Sequence, residues 1–172
     1  YRLDDGVWSN EMPVSDSLEF SLAAEGLHVL SVIGKNSVGY WQPVDEATMV
    51  TWTIDRTPPV VVPANAPHGT VSATEATIWI GGNDVAYYRY RIDGSAFSVI
   101  HSKADPIELT SLEAGAHTLD LIGADRAFNW TEAADIVTVS WKIDLDVPTA
   151  VLNSPPSQIT RQTTVDIPVI SA

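Results

Sequence analysis

Three observations predict an all-β chain organised as a tandem of antiparallel β-sandwiches. The first is composition. Val, Ile, Thr, Trp and Tyr are plentiful, and 11 prolines and 10 glycines punctuate the 172 residues, as expected of many short strands joined by turns. The second is period-2 alternation, clearest in TEATIWI (74–80) and IVTVSWKID (136–144), because a half-buried strand sends successive side chains to opposite faces. The third is an internal repeat: EGLHVLSVIG, residues 25–34, returns 89 residues later as AGAHTLDLIG, residues 114–123.

The 89-residue register extends well beyond that stretch. Tyr1, Arg2, Asp4 and Ser9 recur as Tyr90, Arg91, Asp93 and Ser98, and Glu19, Leu30, Ile33 and Gly34 as Glu108, Leu119, Ile122 and Gly123. Trp41, Val50, Trp52, Ile54, Asp55 and Pro59 recur as Trp130, Val139, Trp141, Ile143, Asp144 and Pro148, and Pro67, Thr74 and Ile78 as Pro156, Thr163 and Ile167. A solenoid unit runs to roughly 20–50 residues, so a repeat of this length is a whole domain. The spacing predicts three segments: an incomplete domain over 1–56 that lacks its first two strands, a complete one over 57–145, and the first strands of a following one over 146–172.

The complete repeat reads as seven strands. VVV at 60–62 follows Pro58 and Pro59, whose missing amide donors confine it to a sheet edge. TEATIWI sets Ala76, Ile78 and Ile80 against Thr77 and Trp79, and GGND at 81–84 supplies the turn that ends it. YYRYRID at 87–93 puts Tyr88, Tyr90 and Ile92 on one face and Tyr87, Arg89 and Arg91 on the other, then closes in an Asp93-Gly94 hairpin turn. AFSVI at 96–100 is the returning strand, and PIELT at 106–110 is a short one. LEAGAHTLDLIGAD at 112–125 joins a turn to the most apolar strand, with Leu119 and Leu121 inward, and IVTVSWKID sets Val137, Val139, Trp141 and Ile143 on one face. Seven strands in about ninety residues is the count of an immunoglobulin-like sandwich.

In such a sandwich the chain crosses between sheets just before the penultimate strand, and the recurring Gly-x-His falls there. Gly26 and Gly115 make the bend. His28 and His117 stand where many sandwiches use a corner tyrosine, and an imidazole donates to a backbone carbonyl in the same way. Neither histidine has a second histidine or a paired carboxylate at a useful sequence spacing, so the pattern points to a structural corner.

YRIDGSAFS, LEAGAHTLDLIGADRAFNW and VSWKIDLDVP resemble the repeats of bacterial immunoglobulin-like or fibronectin type III-like domains. In those repeats a strand ending in a Leu-Asp-Gly turn precedes a Leu-x-x-Gly-x-His corner, followed by an Asp-x-Ala-Gly-Asn loop and a Trp-x-Val-Asp-x-x-x-Pro strand leading into the next domain. SVGYW and RAFNW depart from the loop, and Asp4-Asp5-Gly6 departs from the simple turn. The resemblance covers nearly the whole chain and implies a spacer or adhesive segment of a larger secreted or cell-surface protein, hence an extracytoplasmic location.

Charge and motifs narrow the function further. A formal charge of −13 and a pI near 4.4 repel nucleic acid and anionic membranes, and no apolar run is long enough to span a bilayer. There is no cysteine, no Gly-x-Ser-x-Gly elbow and no phosphate-cradling glycine loop, which argues against an enzyme. Two ligand classes have candidate residues. Asp144 and Asp146 in KIDLDVP offer oxygens to calcium, whereas TIDRTPP keeps Asp55 but places Arg56 beside it. Trp8 and Trp79 are candidate stacking platforms for carbohydrate, while Trp41 and Trp130 read as corner packing. The expected function is a non-enzymatic structural or adhesive segment, with a carbohydrate-binding module of a polysaccharide-active enzyme as the alternative. Its partners are then neighbouring domains or identical chains, or a surface protein or polysaccharide. Tyr1 aligns with the middle of a strand and 146–172 with an unaccompanied strand pair, so either neighbouring sequence or a second chain completes both.

Overall fold

The alternating runs fold into strands throughout. In this computed structural model, which describes residues 1–22, 24–153, 161, 163, 164 and 166–171, the only helical pieces among the described residues are single 3-10 turns at Val44–Glu46 and Ala133–Asp135. Strands β1 (Arg2–Leu3), β2 (Gly26–Val32) and β3 (Thr48–Ile54) form an antiparallel sheet in the order β1-β2-β3. Then come β4 (Val60–Ala64), β5 (Gly69–Val71), β6 (Ala76–Asn83), β7 (Tyr87–Ile92), β8 (His101–Ser102), β9 (Ile107–Leu109), β10 (Gly115–Ala124) and β11 (Val137–Ile143). They make two sheets, β4-β6-β9 and β5-β11-β10-β7-β8. Finally β12 (Ala150–Leu152) pairs with β13 (Val169–Ser171).

Between residues 60 and 143 the two sheets enclose one apolar core. Val61, Ile78, Ile80, Ile107 and Leu109 come from the three-stranded sheet, and Tyr88, Leu119, Leu121, Trp141 and Ile143 from the five-stranded one. This is a sandwich-like arrangement in which the inward set on each strand is the alternating set of the sequence. Tyr88 is fully buried, and its hydroxyl donates to the Asp105 carbonyl at 2.9 Å. Burial, then the neighbouring Tyr90 and Asp105, push its phenol up to about 12.

Three details differ from the sequence reading. Residues 96–100 do not form the returning strand. The Ser98 hydroxyl accepts the Tyr90 amide at 3.1 Å, the role a carbonyl plays in a ladder, so regular pairing resumes only at β8. Strand β6 runs through Gly81, Gly82 and Asn83 rather than turning at GGND, because Gly82 adopts φ +114 and keeps its pairing with Val61. Strand β5, parallel to β11, has no counterpart in the sequence reading, because the one hydrophobic residue in GTV gives no periodicity to read. The edge position of β4 agrees with its flanking prolines.

Pairing registers coincide at an offset of 89. Arg2 faces Ser31 as Arg91 faces Asp120, Gly26 faces Ile54 as Gly115 faces Ile143, and His28 faces Trp52 as His117 faces Trp141. Ala150 faces Ser171 as Val61 faces Gly82, and Leu152 faces Val169 as Pro63 faces Ile80. Residues 18–20, which stand 89 before β9, form no strand. Strand β9 is held by Ala76, Thr77 and Ile78 of β6, and among the described residues up to Ile54 no strand takes the place of β6. Pro156 lies outside the described residues.

Candidate functional site

The recurring histidines are built into the sheet corner from both sides. Gly115 at φ +139 and Gly26 at φ +114 take backbone conformations that side chains disfavour, and this turns the chain into β10 and β2. Two residues on, His117 Nδ1 lies 2.9 Å from Asp93 Oδ2 and Nε2 lies 2.9 Å from the Glu113 carbonyl. His28 repeats this with Asp4 Oδ2 at 3.0 Å and the Ala24 carbonyl at 3.3 Å. The second carboxylate oxygen of Asp93 accepts the Thr118 amide at 2.8 Å, and that of Asp4 accepts the Val29 amide at 2.9 Å. Each ring also packs beside a tryptophan, His117 on Trp141 and His28 on Trp52. The backbone acceptor matches the corner reading, while the aspartate, 24 residues upstream, is a partner the sequence reading assigned only to a turn.

This geometry decides what the histidines can do. Both ring nitrogens face oxygen acceptors, so only the imidazolium satisfies both, and no lone pair is left for a metal or for a substrate proton. The Glu113 carbonyl, then the Asp93 carboxylate, raise His117 above the ordinary imidazole value. Asp4, then the Ala24 carbonyl, do so for His28. Burial pushes Asp93 up, but the Thr118 amide and the His117 ring outweigh it and leave the carboxyl below its usual value. A raised His117 contributes stability that is complete below about pH 6.5 and is lost as pH rises through its folded value. A lowered Asp93 contributes stability present above about pH 4 and lost as pH falls through its folded value. The pair therefore stabilises most between those limits. His117→Ala should cost about 2 kcal/mol at pH 5.5 and less at pH 9. Thermal melts of both proteins at the two pH values check this; a gap that is constant or widens at pH 9 contradicts the imidazolium assignment.

Asp144 and Asp146 do not converge on a third acid. Asp144 accepts the Asp146 amide at 3.0 Å and Lys142 Nζ at 3.1 Å, and these hold its carboxyl below the usual value. The carboxylates that do converge are Asp55, Asp84 and Asp125, whose oxygens lie within 4.8 Å of one another. Asp55 follows β3, Asp84 follows β6 with φ +60, and Asp125 follows β10 and is only 1% exposed. Asn129 organises the group: its backbone amide and its Nδ2 donate to Asp125 at 2.9 and 2.7 Å, and Nδ2 also donates to the Asp55 carbonyl at 3.0 Å. In the sequence Arg56 beside Asp55 argues against a cation there, and Asp84 and Asp125 carry no spacing signal, since they meet only through the fold.

Three hard oxygen ligands suit a calcium or magnesium ion chemically. Without one, crowding three carboxylates this closely is unfavourable, and salt relieves only the exposed part of it because Asp125 is buried. Asp84→Asn preserves a residue that tolerates positive φ, so in EDTA it should raise stability by roughly 1 kcal/mol, a few degrees in the melting midpoint. Millimolar calcium that stabilises the parent chain and reverses this ranking identifies the trio as a cation site.

The tryptophans are unequal. Trp8 is half-buried, and the Arg2 guanidinium lies over its ring at 5.2 Å, as Arg91 lies over Phe97 at 4.8 Å. One face of that platform is therefore taken. Trp79 is 47% exposed on the outer face of β6. Trp41 and Trp130 do not pack into the corner but lie under Lys35 and Arg89. A cleft of about 920 Å³, lined among others by Tyr1, Trp8, Leu18, Val32, Gly34 and Trp41, opens on the inner side of the β1-β2-β3 sheet. Among the described residues no helix is long and apolar enough to cross a membrane. Compared with protein-family models and with curated proteins, the chain matches none.

Proposed function

We propose that this chain is a non-enzymatic run of immunoglobulin-like sandwiches that serves as a spacer or adhesive segment of a larger extracytoplasmic protein. The observation that carries the reading is the coincidence of sequence and pairing register at 89 residues, from Arg2↔Ser31 and Arg91↔Asp120 through Val61↔Gly82 and Ala150↔Ser171. Repetition of one architecture with the same corner suits a part that sets length and stiffness. The histidines, the most distinctive repeated polar residues, have both ring nitrogens committed to structural acceptors. The negative charge keeps such a segment dispersed and away from anionic surfaces.

A carbohydrate-binding accessory module is the second reading, favoured by the exposed ring of Trp79. Pull-down on insoluble cellulose, chitin and xylan separates the two. The spacer reading expects the chain in the supernatant with every polymer. Retention that disappears with Trp79→Ala, and persists with Trp8→Ala because the Trp8 ring is already occupied, establishes the module instead.

A further inference from the structure

The peptide that joins β3 to β4 is gripped from both sides. On the upstream side Glu25, exposed in the corner that Gly26 turns, accepts the Arg56 amide at 2.8 Å on Oε1 and the Thr57 hydroxyl at 3.1 Å on Oε2. The Arg56 guanidinium reaches back to the Leu22 carbonyl at 3.0 Å, so the grip closes in both directions. On the downstream side Asn129 Nδ2 donates to the Asp55 carbonyl at 3.0 Å while it also holds Asp125. Between the two grips Asp55 Oδ1 accepts the Thr57 amide at 3.0 Å, and Pro58 and the buried Pro59 follow with their φ fixed by the ring. Little of the freedom of a linker is left.

The next joint separates what the fold demands from what this joint adds. Asp144 Oδ1 accepts the Asp146 amide at 3.0 Å, as Asp55 accepts that of Thr57, so the inner turn recurs. The clasp does not. At the 89-residue offset Ala114 stands for Glu25, Leu145 for Arg56 and Asp146 for Thr57, so the accepting carboxylate, the guanidinium and the hydroxyl are all replaced. A turn that recurs without its clasp marks the clasp as a property of one joint.

We propose that Glu25, backed by Asn129, locks the joint at Asp55–Thr57 and holds the β1-β2-β3 sheet and the following sandwich at one fixed angle. One carboxylate gripping two successive residues through charge-assisted hydrogen bonds resists rotation about the bonds between them. Asn129 stops the preceding carbonyl from turning away. Relative motion is the default for units joined by a short peptide, and the clasp is what opposes it here. The proposal adds to the spacer reading the place where stiffness resides; it rests on that reading for its use and not for its geometry.

The test exploits the absence of cysteine. Nitroxide labels on Thr51→Cys and Ser140→Cys, exposed positions of β3 and β11 that correspond at the 89-residue offset, report one distance across the joint. Pulsed dipolar spectroscopy of the whole chain, in EDTA so that no cation at Asp55, Asp84 and Asp125 contributes, should give a single narrow distribution. Glu25→Ala should broaden it about twofold, with circular dichroism unchanged because the side chain is exposed. Glu25→Gln should keep the parent width, since its oxygen still accepts the Arg56 amide and its NH2 meets the Thr57 hydroxyl. Glu75→Ala removes an equally exposed carboxylate just before β6, at the end of that strand away from Val60, and should change nothing. A broad parent distribution, a Glu25→Ala width equal to the parent's, or the same broadening in Glu75→Ala overturns the lock. None of these outcomes touches the spacer reading, which polysaccharide retention overturns.

Discussion

Leu121→Ala should lower the unfolding free energy of the complete sandwich by about 3 kcal/mol, or roughly 15 °C in its melting midpoint. Leu121 has no exposed surface and lies in β10 between Tyr90 of β7 and Val137 of β11, facing the opposite sheet. Truncation loses the transfer energy of its methyl groups and leaves a cavity that two hydrogen-bonded sheets cannot collapse to fill. Val32→Ala makes a similar change at the matching position and should cost less than about 0.5 kcal/mol, since the side chain already meets water. Calorimetry of the two variants checks the contrast. Equal losses would show that Val32 is as well covered as Leu121.

The same contrast shows which parts of the molecule the sequence could convey. Alternation alone assigned the inward residues of β6, β10 and β11, because burial on one face imposes period 2 on the residues themselves. The 89-residue recurrence marked Gly115 and His117 together, since a bend and the side chain that ties it down must travel as a unit. It also carried Asp4 onto Asp93, and that was the available clue to the histidine's carboxylate partner: a turn aspartate that returns with its histidine 24 residues later in both copies. Strand β5 left no trace, because an edge strand of three residues buries too little to constrain its composition. The acidic trio was equally illegible. Asp55, Asp84 and Asp125 sit at the ends of β3, β6 and β10, strands of three different sheets, so only the topology brings them within 4.8 Å. Side-chain convergence among loops has no period, and the arginine beside Asp55 pointed the other way.

Gly82→Ala should be at least as damaging as the core truncation, by a different mechanism. Gly82 holds φ +114 inside β6, where an L side chain is strained by about 1–2 kcal/mol. An added Cβ would also overlap the carbonyl oxygen of Val60, a backbone atom of the neighbouring strand that cannot rotate away. Relief requires β4 to move off β6, which breaks pairing around Val61↔Gly82 and lifts Val61 from the core beside Gly123. With about 2–3 kcal/mol for that displacement, the total is on the order of 4 kcal/mol. Gly115→Ala is the matched control: its φ of +139 is also unfavourable, but a Cβ there meets nothing within 4 Å. It should lose only the conformational part, about 1–2 kcal/mol. Guanidinium unfolding of both variants, with hydrogen exchange at the Val61 and Gly82 amides, distinguishes the contributions. Gly82→Ala should show the lower midpoint and faster exchange along β4; similar midpoints with β4 still protected would mean that the strand absorbs the methyl group, and the close approach of β4 to β6 would not be what requires glycine at this position.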